Sequence, residues 1–176
     1  FTMIGSHIVT LTVTNAAGMS ASDSITINIE ALSTTELEED FEVQFVPEGW
    51  SQESSGNFSW TYTTNVGGFG LSTSCMMVNN YIISEEGETC DIIAPLNMSA
   101  TNTEDAILSF DVAYAQYSDF YSDGLEVQVS IDCGATYSTV YSKFGTELAT
   151  AADTTEEFVP ADDEWRTETI DLTTFI

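Results

Sequence analysis

Three acidic side chains are placed where they could serve a hard cation. Asp40 and Glu42 bracket Phe41, and Asp111 stands between Phe110 and Val112. In an extended strand, the i, i+2 spacing puts Asp40 and Glu42 on one face while Phe41 points to the core. Asp111 falls on the polar face of a strongly apolar run, where an acid is costly unless exposed or paired. Ca2+ takes about six to eight oxygen ligands, several of them carboxylates and the rest carbonyls and amides. The plainer alternative is that these acids face water.

Other chemistries find less material. Ser-His-Asp and Cys-His catalysis need a histidine beside the nucleophile. His7 is the one histidine, and it lies in a strand pattern far along the chain from Cys75, Cys90 and Cys133. No H-E-x-x-H, phosphate-binding loop or G-x-S-x-G occurs. No C-x-x-C pair occurs either, which argues against a Cys/His zinc site. Three cysteines allow at most one internal bridge. Cys75 and Cys90 are its local candidates, with Cys133 left free or paired elsewhere. Carboxylates are plentiful, and a glycosidase needs only two of them, about 5–10 Å apart. A carbohydrate-active or lectin-like reading therefore stays open as the alternative.

Charge narrows the partners. Twenty-nine acids against two bases, Lys143 and Arg166, give a net charge of −27. Nucleic acid and anionic membranes need clustered Lys and Arg, so both are excluded as partners. No apolar run of 18 residues exists to cross a membrane. With 43% hydrophobic and 11% aromatic residues, the chain can still build a core.

Thr, Ser, Val, Ile, Tyr and Phe dominate, and turn residues recur at short intervals, which is an all-β signature. Val9, Leu11 and Val13 alternate with Thr10, Thr12 and Thr14. After the turn at Asn15–Gly18, Ile25, Ile27 and Ile29 alternate again. This predicts a hairpin with one apolar face that needs cover. Residues 31–39 are small, polar and acidic, as suits a linker. From Asp40 onward, strands are expected at 41–45, 58–63, 68–72, 76–83, 90–93, 106–114, 125–131, 137–142 and 166–172. Alternation is clearest at Leu108, Phe110, Val112, Tyr114 and at Leu125, Val127, Val129, Ile131. Short strands with long loops suggest a two-sheet antiparallel sandwich.

Two family resemblances follow. The run GSHIVTLTVTNAAGMSASDSITINI resembles the C-terminal half of a PKD domain, an Ig-like sandwich, through G-x-(Y/H)-x-V-x-L-x-V-x-N-x-x-G from Gly5 to Gly18. The segments DIIAPLNMS, LSFDVAYAQY, DGLEVQVSIDCGATYSTVYSK and FVPADDEWRTETIDL resemble, in order and spacing, the MAM-like jelly rolls of Bacteroidota surface proteins. These include the choice-of-anchor and cleaved-adhesin types exported by the type IX system. The resemblance implies a partial PKD domain at 1–30, a linker at 31–39 and a jelly roll at 40–176 that lacks its closing strand. It implies a piece of a larger secreted or cell-surface adhesin or peptidase; without the closing strand the sheet has an unpaired edge, which invites self-association with another chain. It also implies structural calcium held by Asp40, Glu42 and Asp111, with Asn79 or Asn80 supplying an amide. On this reading the chain is a non-catalytic, extracellular accessory module that binds protein or glycan.

Aromatic residues are the remaining resource. Trp60 and Trp165 read as core. Tyr117, Phe120 and Tyr121 lie in the polar loop QYSDFYSDG and are the better candidates for an exposed contact.

Overall fold

The computed structural model describes residues 5–29, 37–43, 45–64, 66, 72–83, 86–96 and 105–176. They form an all-β fold, as the composition predicts. The strands are β1 Gly5–Thr14, β2 Ser20–Ile29, β3 Ser51–Ser54, β4 Thr61–Thr64, β5 Ser74–Met77, β6 Cys90–Ile93, β7 Ile107–Val112, β8 Gly124–Val129, β9 Ser138–Phe144 and β10 Arg166–Asp171. One short helix, α1 (Gly145–Leu148), follows β9. Strands pair antiparallel as β1–β2, β3–β6, β4–β5, β7–β10 and β8–β9. The arrangement is consistent with a β-sandwich-like fold.

The first hairpin follows from its pattern. Val9 pairs with Ile25 and His7 with Ile27, so the apolar residues of both strands share one face. On the other face, cross-strand hydroxyl pairs repeat: Thr10–Ser24 at 2.8 Å, Thr12–Ser22 at 2.8 Å and Thr14–Ser20 at 2.7 Å. The turn is fixed by Asn15, whose side-chain oxygen accepts the N–H groups of Ala17 and Met19. Gly18 takes φ 81°, where a side chain would be strained. Leu11, Val13 and Ile25 remain exposed, and among the described residues β1 and β2 pair only with each other. The side chain of Ile29 and residues 30–36 lie outside the described residues.

Several strand boundaries differ from expectation. Residues 41–43 bend instead of running straight, because Phe41 adopts φ 57° and breaks the extended path. The Phe41 ring is half-buried, edge-on to Trp50 at 6.1 Å. The run at 76–83 is strand only through Met77, and a 3-10 turn takes over at Asn80–Ile82. β8 ends at Val129, leaving Ile131 exposed rather than inward. β3 arises in a run, Ser51-Gln-Glu-Ser54, with no apolar period. Residues 68–71 lie outside the described residues.

The centre is where β7–β10 meets β8–β9. Phe110 of β7 packs edge-on against Tyr141 of β9, ring centres 5.4 Å apart, a contact worth about 0.5–1.5 kcal/mol beyond burial. Glu168 of β10 lies opposite Phe110 and turns inward. Lys143 of β9 grips its carboxylate at 2.7 and 2.8 Å, and Arg166 Nε donates to the same group at 2.7 Å. The Arg166 guanidinium also donates to the carbonyls of Ala149 at 2.9 Å and Leu148 at 3.0 Å, closing the end of α1. Burial alone would raise the Glu168 pKa, but the bonds from Lys143 and Arg166 outweigh it and hold the carboxyl below its usual range. Leu148, Ile170 and Leu172 complete the buried apolar core among the described residues.

Glu168→Gln keeps the shape of this clamp but removes the charge that two cations share. Both cations remain about one-third exposed, which screens the loss. We expect about 1–3 kcal/mol of destabilisation, read as a lower urea midpoint at unchanged slope.

Candidate functional site

The turn after β7 carries three exposed aromatic side chains. The chain leaves β7 and runs beside residues 150–154, with Thr150 N–H donating to the Tyr114 carbonyl at 2.8 Å and Thr154 N–H to the Gln116 carbonyl at 2.9 Å. Residues 118–121 then close a turn through Tyr121 N–H to the Ser118 carbonyl at 3.0 Å. Gln116, 3% exposed, clamps it from beneath. Its Nε2 donates to the Ser118 carbonyl at 2.8 Å and to the Tyr121 carbonyl at 2.9 Å. Tyr114 donates to Asp123 at 3.0 Å. Burial first, then the Asp123 charge, pushes the Tyr114 pKa up, so this phenol stays a donor.

On that support sit three aromatic rings. Tyr117 and Tyr121 meet edge-on with centres 5.4 Å apart, and Phe120 is 94% exposed. Aromatics held this way present apolar area at little entropic cost. They can stack on a sugar face or fill a pocket on a protein. The expectation for Tyr117, Phe120 and Tyr121 thus meets a turn in which all three are exposed. The polar loop composition pointed to them, but nothing in it pointed to Gln116.

The calcium candidates are differently engaged. Glu42 does not share a strand face with Asp40, since residues 41–43 bend. Its carboxylate accepts from the Thr73 hydroxyl at 2.8 Å, the Thr73 N–H, the Ser72 hydroxyl at 2.9 Å and the Ser74 N–H at 2.8 Å. These bonds, Thr73's first, hold its pKa at about 2. Asp40 accepts the Glu42 N–H at 3.0 Å and lines an open groove of about 730 Å³ with Glu38, Glu39, Glu48 and Ser109. Asp111 accepts from Thr167, its cross-strand partner, at 2.6 Å. Asn79 donates to Glu157 at 2.8 Å. Among the described residues, no three His, Cys, Asp or Glu side chains are gathered to hold a metal. The donor chemistry suits Ca2+, while in this arrangement the four side chains serve separate partners.

Cys75 on β5 and Cys90 on β6 are half-buried thiols on different ladders, and burial raises the pKa of both. Trp60 is tied inward by its indole N–H to the Cys90 carbonyl at 3.0 Å. Cys133 is exposed at the β8–β9 connection. That connection is held by Asp132, which accepts from the Thr136 hydroxyl at 2.6 Å, the Thr136 N–H at 2.8 Å and the Ser130 hydroxyl at 2.8 Å. These bonds set the Asp132 pKa at about 2.

Glu42 and Asp132 therefore contribute stability above the pKa of an unfolded carboxyl, and lose it as pH falls toward about 2. Glu42→Gln and Asp132→Asn should each be less stable than the parent at pH 6. The difference from the parent should shrink between pH 5 and pH 2, as followed by thermal melts at each pH.

Among known proteins, no family model, no curated protein and no solved structure matches this chain, so the PKD and MAM-like resemblance has no support beyond the sequence.

Proposed function

We propose that the chain is a non-catalytic accessory module of an extracellular or cell-surface protein, contacting a protein or glycan through the Tyr117–Phe120–Tyr121 turn. The observation that carries this reading is the support beneath the turn. A 94%-exposed phenyl ring and an edge-on tyrosine pair are held by a buried amide bonded to two carbonyls of the same turn. A ring as exposed as Phe120 buries little area on folding, so a hydrogen-bonded platform that presents it suits recognition. The acid balance favours a neutral or basic partner surface. Among the described residues, no helix is long and apolar enough to cross a membrane.

The PKD-like and MAM-like resemblances extend the proposal to a module of a Bacteroidota protein exported by the type IX system. Calcium belongs to the same proposal as a structural ion. Asp40, Glu42, Asp111 and the Asn79 amide oxygen are the groups that would hold it, and the present bond of Asn79, donated by its Nδ2, leaves that oxygen uninvolved.

Retention on immobilised glycans and extracellular matrix proteins tests the contact. Phe120→Ala should weaken it about tenfold, while Tyr81→Ala, an exposed ring elsewhere, leaves it unchanged. Equal retention of Phe120→Ala and the parent would refute the contact.

Calcium is tested by melting with chelator and with added Ca2+. Binding to the folded state alone stabilises by roughly 2.7 kcal/mol at a hundredfold excess over Kd. Asp111→Ala should abolish the rise, and coincident curves for the parent would remove calcium from the proposal.

A further inference from the structure

The sequence holds two lysine and arginine side chains against 29 acids. Both lie at the interface of β7–β10 with β8–β9, and both bind the one carboxylate of Glu168. No lysine or arginine is left for any other acid. Elsewhere, carboxylates are stabilised by neutral donors, as at Glu42 and Asp132, which leave the charge in place. Some are set directly against each other. Glu53 on β3 lies opposite Asp91 on β6, both exposed, and like charges in that position are destabilising.

The attractive side of the balance is thin. Among the described residues, the buried apolar core is Leu148, Ile170 and Leu172, and no side chain is less than 2% exposed. Self-repulsion of a strongly charged chain opposes the compact state. Its reach is set by the surrounding salt, with a Debye length of about 8 Å at 0.15 M and about 3 Å at 1 M.

We propose that the folded state of this chain is gated by external cations: mobile cations supply the counter-charge that Lys143 and Arg166 cannot, and stability rises with ionic strength. Small monovalent cations suffice, because the effect is screening of the whole acidic surface and not occupation of one site. It is independent of the calcium proposed above.

Thermal melts of the chelator-treated chain, from 10 mM to 1 M NaCl and in parallel in choline chloride, test this. The midpoint should climb by roughly 5 °C or more, equally with sodium and with the bulky choline ion. Glu53→Lys, which turns one repulsive cross-strand pair attractive, should melt higher than the parent at 10 mM salt and lose that advantage at 1 M. Glu53→Gln should fall between the two. A midpoint that is flat or falls with salt would overturn the proposal. So would a rise with sodium but not choline, which would mean a specific ion site.

Discussion

The shared carboxylate of Glu168 joins the β7–β10 ladder to the β8–β9 ladder. Lys143 comes to it from β9 and Arg166 from β10 itself, and the Arg166 guanidinium continues to the carbonyls that end α1. One inward acid thereby ties together two sheets and a helix terminus. An inward ion group is costly to desolvate and repays that cost only when its remaining donors are matched. Here the guanidinium has carbonyl acceptors in addition to the carboxylate. Phe110, the cross-strand neighbour of Glu168, packs edge-on against Tyr141 beside it.

Gathering both cations on one carboxylate has a counterpart elsewhere on the chain. Acids there rely on hydroxyls and backbone N–H groups, and serine and threonine supply many of them. Around Glu42 the donors are Ser72, Thr73 and Ser74; around Asp132 they are Ser130 and Thr136. The abundance of Ser and Thr thus has two physical roles, strand propensity and short-range solvation of carboxylates. Hydrogen bonds of this kind fix loop shape in a way that long, flexible ion pairs do not.

The period-two signal made β7, β8 and both strands of the first hairpin legible, since each sets an apolar face against a polar one. It failed where alternation and backbone parted. Asp40-Phe41-Glu42-Val43 alternates, yet the φ of Phe41 turns the chain, and the shared face imagined for the two acids does not form. β3 was invisible because four exposed polar residues carry no period; its partner β6 places it. In β10 the inward residues are Arg166, Glu168 and Ile170, and composition alone assigns the first two to solvent. The exposed aromatics were legible from their polar neighbours. Gln116 was not, because a buried amide is defined by the carbonyls it finds in the fold.

The first hairpin carries one more consequence, a mechanical one. Gly5 and Ile29 lie side by side at its open end, ten residues along each strand from the turn. Tension passing through the chain at this point pulls the two strands apart from the same end, so the load falls on one cross-strand pair at a time. The ladder peels in steps instead of shearing as a unit, and each hydroxyl pair on its outer face is met in turn. Between Gly5 and Ile29 the polypeptide thus holds a length of chain that yields gradually to force and can zip closed again from the Asn15–Gly18 turn.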